Sequence, residues 1–238
     1  MQSQVEQLKE WIETNNNLVF FGGAGVSTES GIPDFRSTDG IYHIKYDYPP
    51  ETILSHHFFL DRTKEFYEFY RDKMIYQNVD PNITHSKLYE LEVDGKLKGI
   101  ITQNIDGLHQ KAGSKRVCEL HGSIHRNYCM RCGSSYTLEE IIKHQDIPRC
   151  ICGGTIKPDV ILYEESLKSE IIEEAIALIS NAEVLIVGGT SLSVYPAAGL
   201  LNYYRGNKLV LINKSITSFD GRADLLMNTS LGEVFSRI

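Results

Sequence analysis

The chain is predicted to be an α/β protein, a doubly wound parallel sheet with helices on both faces and a small insertion of different character. Three observations carry that expectation. Short apolar runs end in glycine or polar residues, as at Gly22-Gly23-Ala24-Gly25 and Gly188-Gly189-Thr190-Ser191. Helical patterns separate the runs, the alternation that parallel strands with crossover helices require. Four of the five cysteines, Cys129, Cys132, Cys150 and Cys152, fall within residues 124–157, where the alternation stops.

Each element follows from local pattern. Residues 1–15 place Val5, Leu8 and Ile12 at helical spacing among Gln, Glu and Lys, which predicts an amphipathic surface helix and not a signal peptide. Residues 18–21 are apolar throughout and run directly into the first glycine turn, as a buried parallel strand feeds a phosphate-binding turn. Residues 54–76 carry Phe59, Phe66, Phe69 and Tyr70 in a helical pattern. Ile100 and Ile101 make a strand that leads into Thr102-Gln103-Asn104, and residues 171–179 are helical. Residues 184–187 feed the second glycine turn, and residues 209–212 end at Asn213. In such a sheet, ligands bind outside the carboxyl ends of the strands.

Composition narrows the class. With 238 residues, 42% of them hydrophobic, the chain can bury one large domain with an insertion or two small ones. A formal net charge of -7 argues against specific nucleic-acid binding and leaves open attraction to basic protein segments. No span approaches membrane length. Four clustered cysteines plus a lone Cys118 fit a reducing, cytoplasmic compartment.

The cysteines form a C-x-x-C and a C-x-C pair separated by seventeen residues. Four thiolates on two short knuckles satisfy the tetrahedral demand of one zinc ion, and with all four positions filled the ion is structural. Gly133, Gly153 and Gly154 supply turns whose free amides can hydrogen-bond to thiolates. Two disulfides, or buried cysteines that merely cluster, are the alternatives, and the one-residue spacer of the second pair is shorter than usual.

The glycine turns suggest a dinucleotide. Backbone N–H groups of residues 23–26 can face a diphosphate at the start of the following helix. Thr28 stands where a third glycine is expected, and no acid clearly serves as a ribose ligand, although Asp39 and Asp47 are in range. One imperfect turn is often only structural; two at parallel strand ends, with Asn213 ending another, can line one crevice. Gln103, Asn104 and Asp106 sit just beyond a buried strand, and His121 is the candidate general base. Any single histidine is more often structural, and His56, His57, His109, His125 and His144 are read so.

Taken together, Gly23-Ala24-Gly25-Val26-Ser27, Ser30-Gly31-Ile32-Pro33-Asp34-Phe35-Arg36-Ser37, Thr102-Gln103-Asn104-Ile105-Asp106-Gly107-Leu108-His109, Leu120-His121-Gly122-Ser123, the four cysteines and Gly189-Thr190-Ser191-Leu192-Ser193-Val194 resemble the sirtuins, NAD-dependent protein lysine deacylases. The resemblance covers nearly the whole chain and is to the short, single-domain bacterial type. It implies a Rossmann-like large domain and a small zinc domain, the latter also drawing on part of residues 30–75. It implies NAD contacts at Gly23, Ala24, Gly25, Thr28, Arg36, Gln103, Thr190, Ser191 and Asn213, with Phe35, Ile105 and Asp106 at the nicotinamide. It implies that His121 deprotonates a ribose hydroxyl while Asn104 holds water or that hydroxyl, so that the acyl group passes from lysine to ADP-ribose and nicotinamide leaves. An acyl-lysine peptide from a protein substrate would add as a strand against Val160, Ile161, Leu162 and Tyr163 on one side and Ser193 and Val194 on the other. A cytoplasmic monomer with no nucleic-acid or membrane partner is expected.

Two departures bear on specificity. Tyr163-Glu164-Glu165 stands where many relatives have Phe-Gly-Glu, and two rim carboxylates would favour lysine-rich substrates. Tyr67 is expected at the acyl pocket, with Tyr70 where succinyl- or malonyl-preferring relatives carry an arginine. Arg71, one residue further round the helix, is expected to point away and pair with acids. A deacetylase is therefore expected. The rivals are a mono-ADP-ribosyltransferase, a hydride-transferring dehydrogenase and a non-enzymatic NAD-sensing module.

Overall fold

A computed structural model describes residues 2–34 and 46–238, so Phe35, Arg36 and Asp39 lie outside the described residues. Its strands are β1 (Leu18–Gly22), β2 (Leu97–Thr102), β3 (Val117–Glu119), β4 (Gly122–Cys129), β5 (Ser135–Thr137), β6 (Ile156–Val160), β7 (Val184–Gly188), β8 (Leu209–Ile212) and β9 (Leu225–Met227). Six of them form one sheet in the order β3-β2-β1-β7-β8-β9, every neighbouring pair parallel. All five residues of β1, and all five of β7, are buried, because crossover helices cover both faces of such a sheet.

Alternating side chains of each strand feed two cores. Phe21, Ile101, Val187 and Leu211 pack with Ala175, Leu178 and Ile179 from helix Ser169–Asn181. Phe20, Ile100, Ile186 and Val210 pack on the other face with Val5, Leu8 and Ile12 from helix Gln2–Thr14, the residues whose spacing predicts that helix. The strand order reverses direction between β1 and β7, which brings the two glycine turns side by side.

The insertion is a three-stranded antiparallel sheet, β5-β4-β6, which overruns the expected 124–157 limits at both ends. The helical pattern of residues 54–76 divides into His56–Asp61 and Thr63–Lys73, with Arg62 leaving helical geometry between them. Ser55 caps the first of these by accepting from the Phe58 N–H. Their aromatic faces and the insertion share a third core: Phe59, Phe66, Tyr67 and Tyr70 pack with Ile124, Ile156 and the buried Cys129 and Cys150. Phe59 and Phe66 meet edge to face at 4.9 Å, and Phe66 stacks on Tyr70 at 5.7 Å.

Helix Ile83–Val93 starts at a capping box. The Asn82 side chain accepts from the Thr84 N–H, and His85 Nδ1 accepts from the Asn82 N–H at 3.2 Å. His85 lies buried against the equally buried His109, ring centroids 4.7 Å apart. Burial pulls His85 down to about 4, against an opposing pull from the Asp106 charge. Burial, helped by His85, pulls His109 down to about 3. No helix among the described residues is long and apolar enough to cross a membrane.

Candidate functional site

The glycine turns meet back to back. The Gly25 N–H donates to the Gly189 carbonyl at 2.8 Å, and a Cβ on Gly25 would stand 2.7 Å from the Gly189 Cα. Gly189 has φ +61, so both positions exclude a side chain, one by contact and one also by conformation. Thr28, in place of a third glycine, donates its hydroxyl to the Gly25 carbonyl at 3.0 Å and so braces the turn from below. This explains why the incomplete glycine pattern still makes a tight turn.

A cavity of about 820 Å³ opens at this point, between the sheet and the insertion. Ala24, Gly25 and Thr28 line it from the first turn, Thr190, Ser191 and Val194 from the second, and Asn213 from the end of β8. Gln103, Asn104, Ile105 and Asp106 line it from the end of β2, and His121 from just before β4. Val160, Ile161, Leu162 and Tyr163 form the opposite wall. Gly23 stays outside the lining, its N–H donating to the Gly188 carbonyl at 3.3 Å; Ser193 is outside it as well, 2.7 Å from the Ser191 hydroxyl.

Polar groups in the cavity hold one another in place. Gln103 Nε2 donates to Thr190 Oγ1 at 3.0 Å, and the Thr190 N–H donates to Asn213 Oδ1 at 3.0 Å. Asn213 Nδ2 is buried and finds no partner among the described residues, a donor left over for a ligand oxygen. Asp106 accepts from the Ser27 hydroxyl at 2.7 Å and from the Leu108 N–H at 2.9 Å, and Ser27 accepts from Asn104 Nδ2 at 3.1 Å. Ser27 had no role assigned from sequence, although it closes the Gly-Ala-Gly-Val-Ser motif; its function is to join the two strand ends.

His121 Nδ1 lies 2.9 Å from the Gln103 carbonyl. A carbonyl only accepts, so Nδ1 carries the proton and Nε2 keeps a free lone pair. Burial pulls the His121 pKa below its ordinary value, and the bond to Gln103 pulls weakly the other way. The ring is therefore neutral near pH 7 and able to accept a proton at Nε2.

The four cysteine sulfurs gather within 4.8 Å of one another. Cys129 and Cys152, and likewise Cys132 and Cys150, are 3.5 Å apart, well beyond the disulfide bond length of about 2.05 Å. All five cysteines are free thiols, which removes the two-disulfide alternative. Backbone N–H groups of Arg131 and Cys152 point at Cys129 Sγ and Cys150 Sγ, the amide support expected of the knuckle turns. Sulfur atoms at these separations fit a tetrahedral zinc site with bonds of about 2.3 Å. The cluster lies in the insertion and contributes nothing to the cavity wall.

One expected site residue is corrected. Tyr67 does not line the cavity: its ring is fully buried in the aromatic core and its hydroxyl donates to the Ile156 carbonyl. The resemblance to the Tyr-x-x-Arg pair of succinyl- or malonyl-preferring relatives puts it at the acyl pocket, and here the ring packs on β6 instead. Arg71 does point away, but to backbone carbonyls of Gln145 and Asp146 at 3.0 Å each and not to acids, its guanidinium 5.6 Å from the centre of the Tyr67 ring.

Comparison with known proteins bears on this cavity. The model of the Sir2 family matches residues 23–196. The chain is 57% identical to an NAD-dependent protein deacetylase of Clostridium acetobutylicum, over 99% of this chain and 98% of that protein. It is 55% identical to one of Clostridium perfringens, over 100% and 99%. A solved Sir2 structure with a deacetylated p53 peptide and 3′-O-acetyl ADP ribose superposes with a TM-score of 0.91 at 40% identity, over 98% of this chain and 96% of that one. A second, of Sir2 with a p53 peptide and NAD+, gives 0.88 at 38% identity with the same coverage.

Proposed function

The chain belongs to the Sir2 family, and from that premise we propose how its cavity performs the reaction of an NAD-dependent protein deacetylase. The single observation that carries the assignment of roles is the His121 tether: a neutral ring, fixed through Nδ1, with Nε2 free in the cavity that the glycine turns line. NAD, when bound, supplies the carbon that accepts the lysine acyl oxygen, with nicotinamide as leaving group. The Gly23, Gly25 and Val26 N–H groups already donate to backbone carbonyls, so the glycine turns would serve its diphosphate by allowing close approach and not by those amides, and the spare Asn213 Nδ2 would donate to a ribose oxygen. Asp106, held by Ser27 and Leu108, would accept from the nicotinamide amide, and Ile105 would offer the neighbouring apolar surface. Asn104 holds a water or ribose hydroxyl, and His121 Nε2 takes the ribose proton as the acetyl group passes to ADP-ribose. Ser193 and Val194, with the wall from Val160 to Tyr163, receive the acyl-lysine peptide. Phe35 and Arg36 are assigned to the NAD site on the sequence resemblance alone.

The thiols and acidic balance support action in the cytoplasm on acyl-lysine proteins. One chain supplies both walls of the cavity, so a monomer suffices.

Leu54, Met74, Ile105, Ile124 and Leu162 give the cavity an apolar stretch of wall, continuous with the third core, that favours a neutral acyl chain. Of the lysines that line the cavity, Lys73 is paired with Asp72 at 3.0 Å and Lys214 follows Asn213 at the end of β8, away from this apolar cluster in the chain, while Arg71 is committed elsewhere. Burying a distal carboxylate without a free cation costs several kcal/mol, so kcat/KM on an acetyl peptide is expected to exceed that on the matched succinyl peptide by about tenfold or more. The test is nicotinamide release with acetyl peptide, succinyl peptide or none. Release that ignores the peptide, with label from NAD retained on protein, would instead support ADP-ribosyl transfer; succinyl turnover equal to acetyl would mean that Lys73 or another cation reaches the acyl group.

A further inference from the structure

At the rim of the cavity a glutamate occupies a backbone position of the kind that favours glycine. Glu164 has φ +75, a left-handed conformation uncommon for a residue with a side chain. Its carboxylate is oriented by His57, which donates from its backbone N–H at 3.1 Å and lies with Nδ1 at 2.7 Å. The neighbouring Glu165 is differently placed. It bonds His56 Nδ1 at 2.8 Å, Lys157 Nζ at 3.1 Å and the Leu162 N–H at 2.8 Å, so it ties the peptide-facing segment to β6 and has an ammonium against its charge. The segment is also stitched by backbone bonds: Tyr163 donates to Leu54 and accepts from His56.

The two rim carboxylates are thus not equivalent. The Glu165 side chain is 17% exposed and matched by Lys157; that of Glu164 is 50% exposed, and no lysine or arginine pairs with it among the described residues. The charged and titratable groups facing Glu164 are His57 and, further off, His56. Both glutamates line the cavity beside the wall that receives the peptide.

We propose that Glu164 is a specificity-determining residue, whose carboxylate selects acyl-lysine peptides carrying a second lysine or arginine next to the acylated one. The inference rests on the reading of this cavity as a deacetylase site. His57 fixes where the charge stands, half-exposed at the cavity rim next to Tyr163 of the wall that receives the peptide. A free cation there gains a partner; an acidic residue meets a like charge. Glu165 contributes shape and not selectivity, because its charge is already met.

The experiment uses three acetyl-lysine peptides that differ only in the flanking residue, Lys, Gln or Glu, with kcat and KM measured on the wild-type enzyme, Glu164→Gln and Glu165→Gln. Exposed pairs of this kind are modest, so the wild type is expected to rank Lys above Gln above Glu by about two- to fivefold per step, expressed in KM, narrowing at high salt. Glu164→Gln keeps the size and the hydrogen-bond acceptor, and is expected to turn over all three peptides alike. Glu165→Gln is expected to lower kcat/KM for all three together and keep the ranking. A wild type without the ranking, or a Glu164→Gln enzyme that retains it, overturns the proposal. If the wild type turns over none of the three, the deacetylase reading falls and this inference with it.

Discussion

His121→Ala is expected to lower kcat by about 10² to 10⁴ while leaving NAD affinity nearly unchanged, because general-base contributions lie in that range and His121 approaches the cavity by its free nitrogen alone. The alanine variant also removes the donor to the Gln103 carbonyl, and Gln103 in turn bonds Thr190 in the second glycine turn. His121→Gln keeps an N–H donor of similar reach and removes the base, so it separates positioning from proton transfer. Both variants are expected to fall together. The wild-type pH profile should be flat through neutrality and decline only on the acid side, below the ordinary imidazole value of about 6.5, since burial favours the neutral ring. Turnover near wild type in His121→Gln would assign the proton to another group.

Loss of the thiolate cluster should be equally severe by a different route. Cys129 and Cys150 are buried in the core that the insertion shares with Phe59, Phe66 and Tyr70, so an ion that ties the two knuckles together would also hold that core closed. Structural zinc in small peptides contributes an apparent ~10–16 kcal/mol, comparable with a typical domain's whole stability of about 5–15 kcal/mol. Cys129→Ala, or chelation of the wild type, is expected to unfold the insertion and abolish activity although no cysteine lines the cavity, because β6 runs straight into the peptide wall at Val160. Zinc content, circular dichroism and turnover are followed through chelation and re-addition of zinc. Full activity in protein that contains no metal would overturn the assignment.

The parts of this molecule legible from sequence are those written in short spacing. Buried parallel strands read as apolar runs, their glycine ends read as turns, and the cysteine pairs read as knuckles, because each depends on residues within a few positions of one another. The three-residue edge strands β3 and β9 were missed: Val117–Glu119 and Leu225–Met227 are too short to show a period, and they pair only because β2 and β8 offer them an edge. Tyr67 is misplaced by the sequence because a match to a two-residue motif fixes a position on the helix without naming what packs there. The clasp of His57 on Glu164 joins residues 107 positions apart, and Glu164 looks in sequence like its neighbour Glu165. Only the fold shows that one carboxylate is met by a lysine and the other by a histidine alone.

The buried His85 and His109 make the folded chain a poorer proton acceptor than its unfolded form. An unfolded histidine binds a proton as the pH falls through about 6.5, whereas these two remain neutral until about 4 and about 3. Across that interval the unfolded state holds the extra protons, so stability declines on acidification by about 1.4 kcal/mol per pH unit for each ring. His85 has a local reason to resist as well, since a protonated Nδ1 could no longer accept from the Asn82 N–H that starts its helix. Denaturant midpoints measured between pH 7 and pH 5 should fall more steeply in the wild type than in His109→Gln, by close to one proton's worth of slope, and equal slopes would show that His109 takes up its proton without unfolding. The helix whose first amide holds Asp106 at the cavity also carries His109, so an acid limit on stability is built in next to the site.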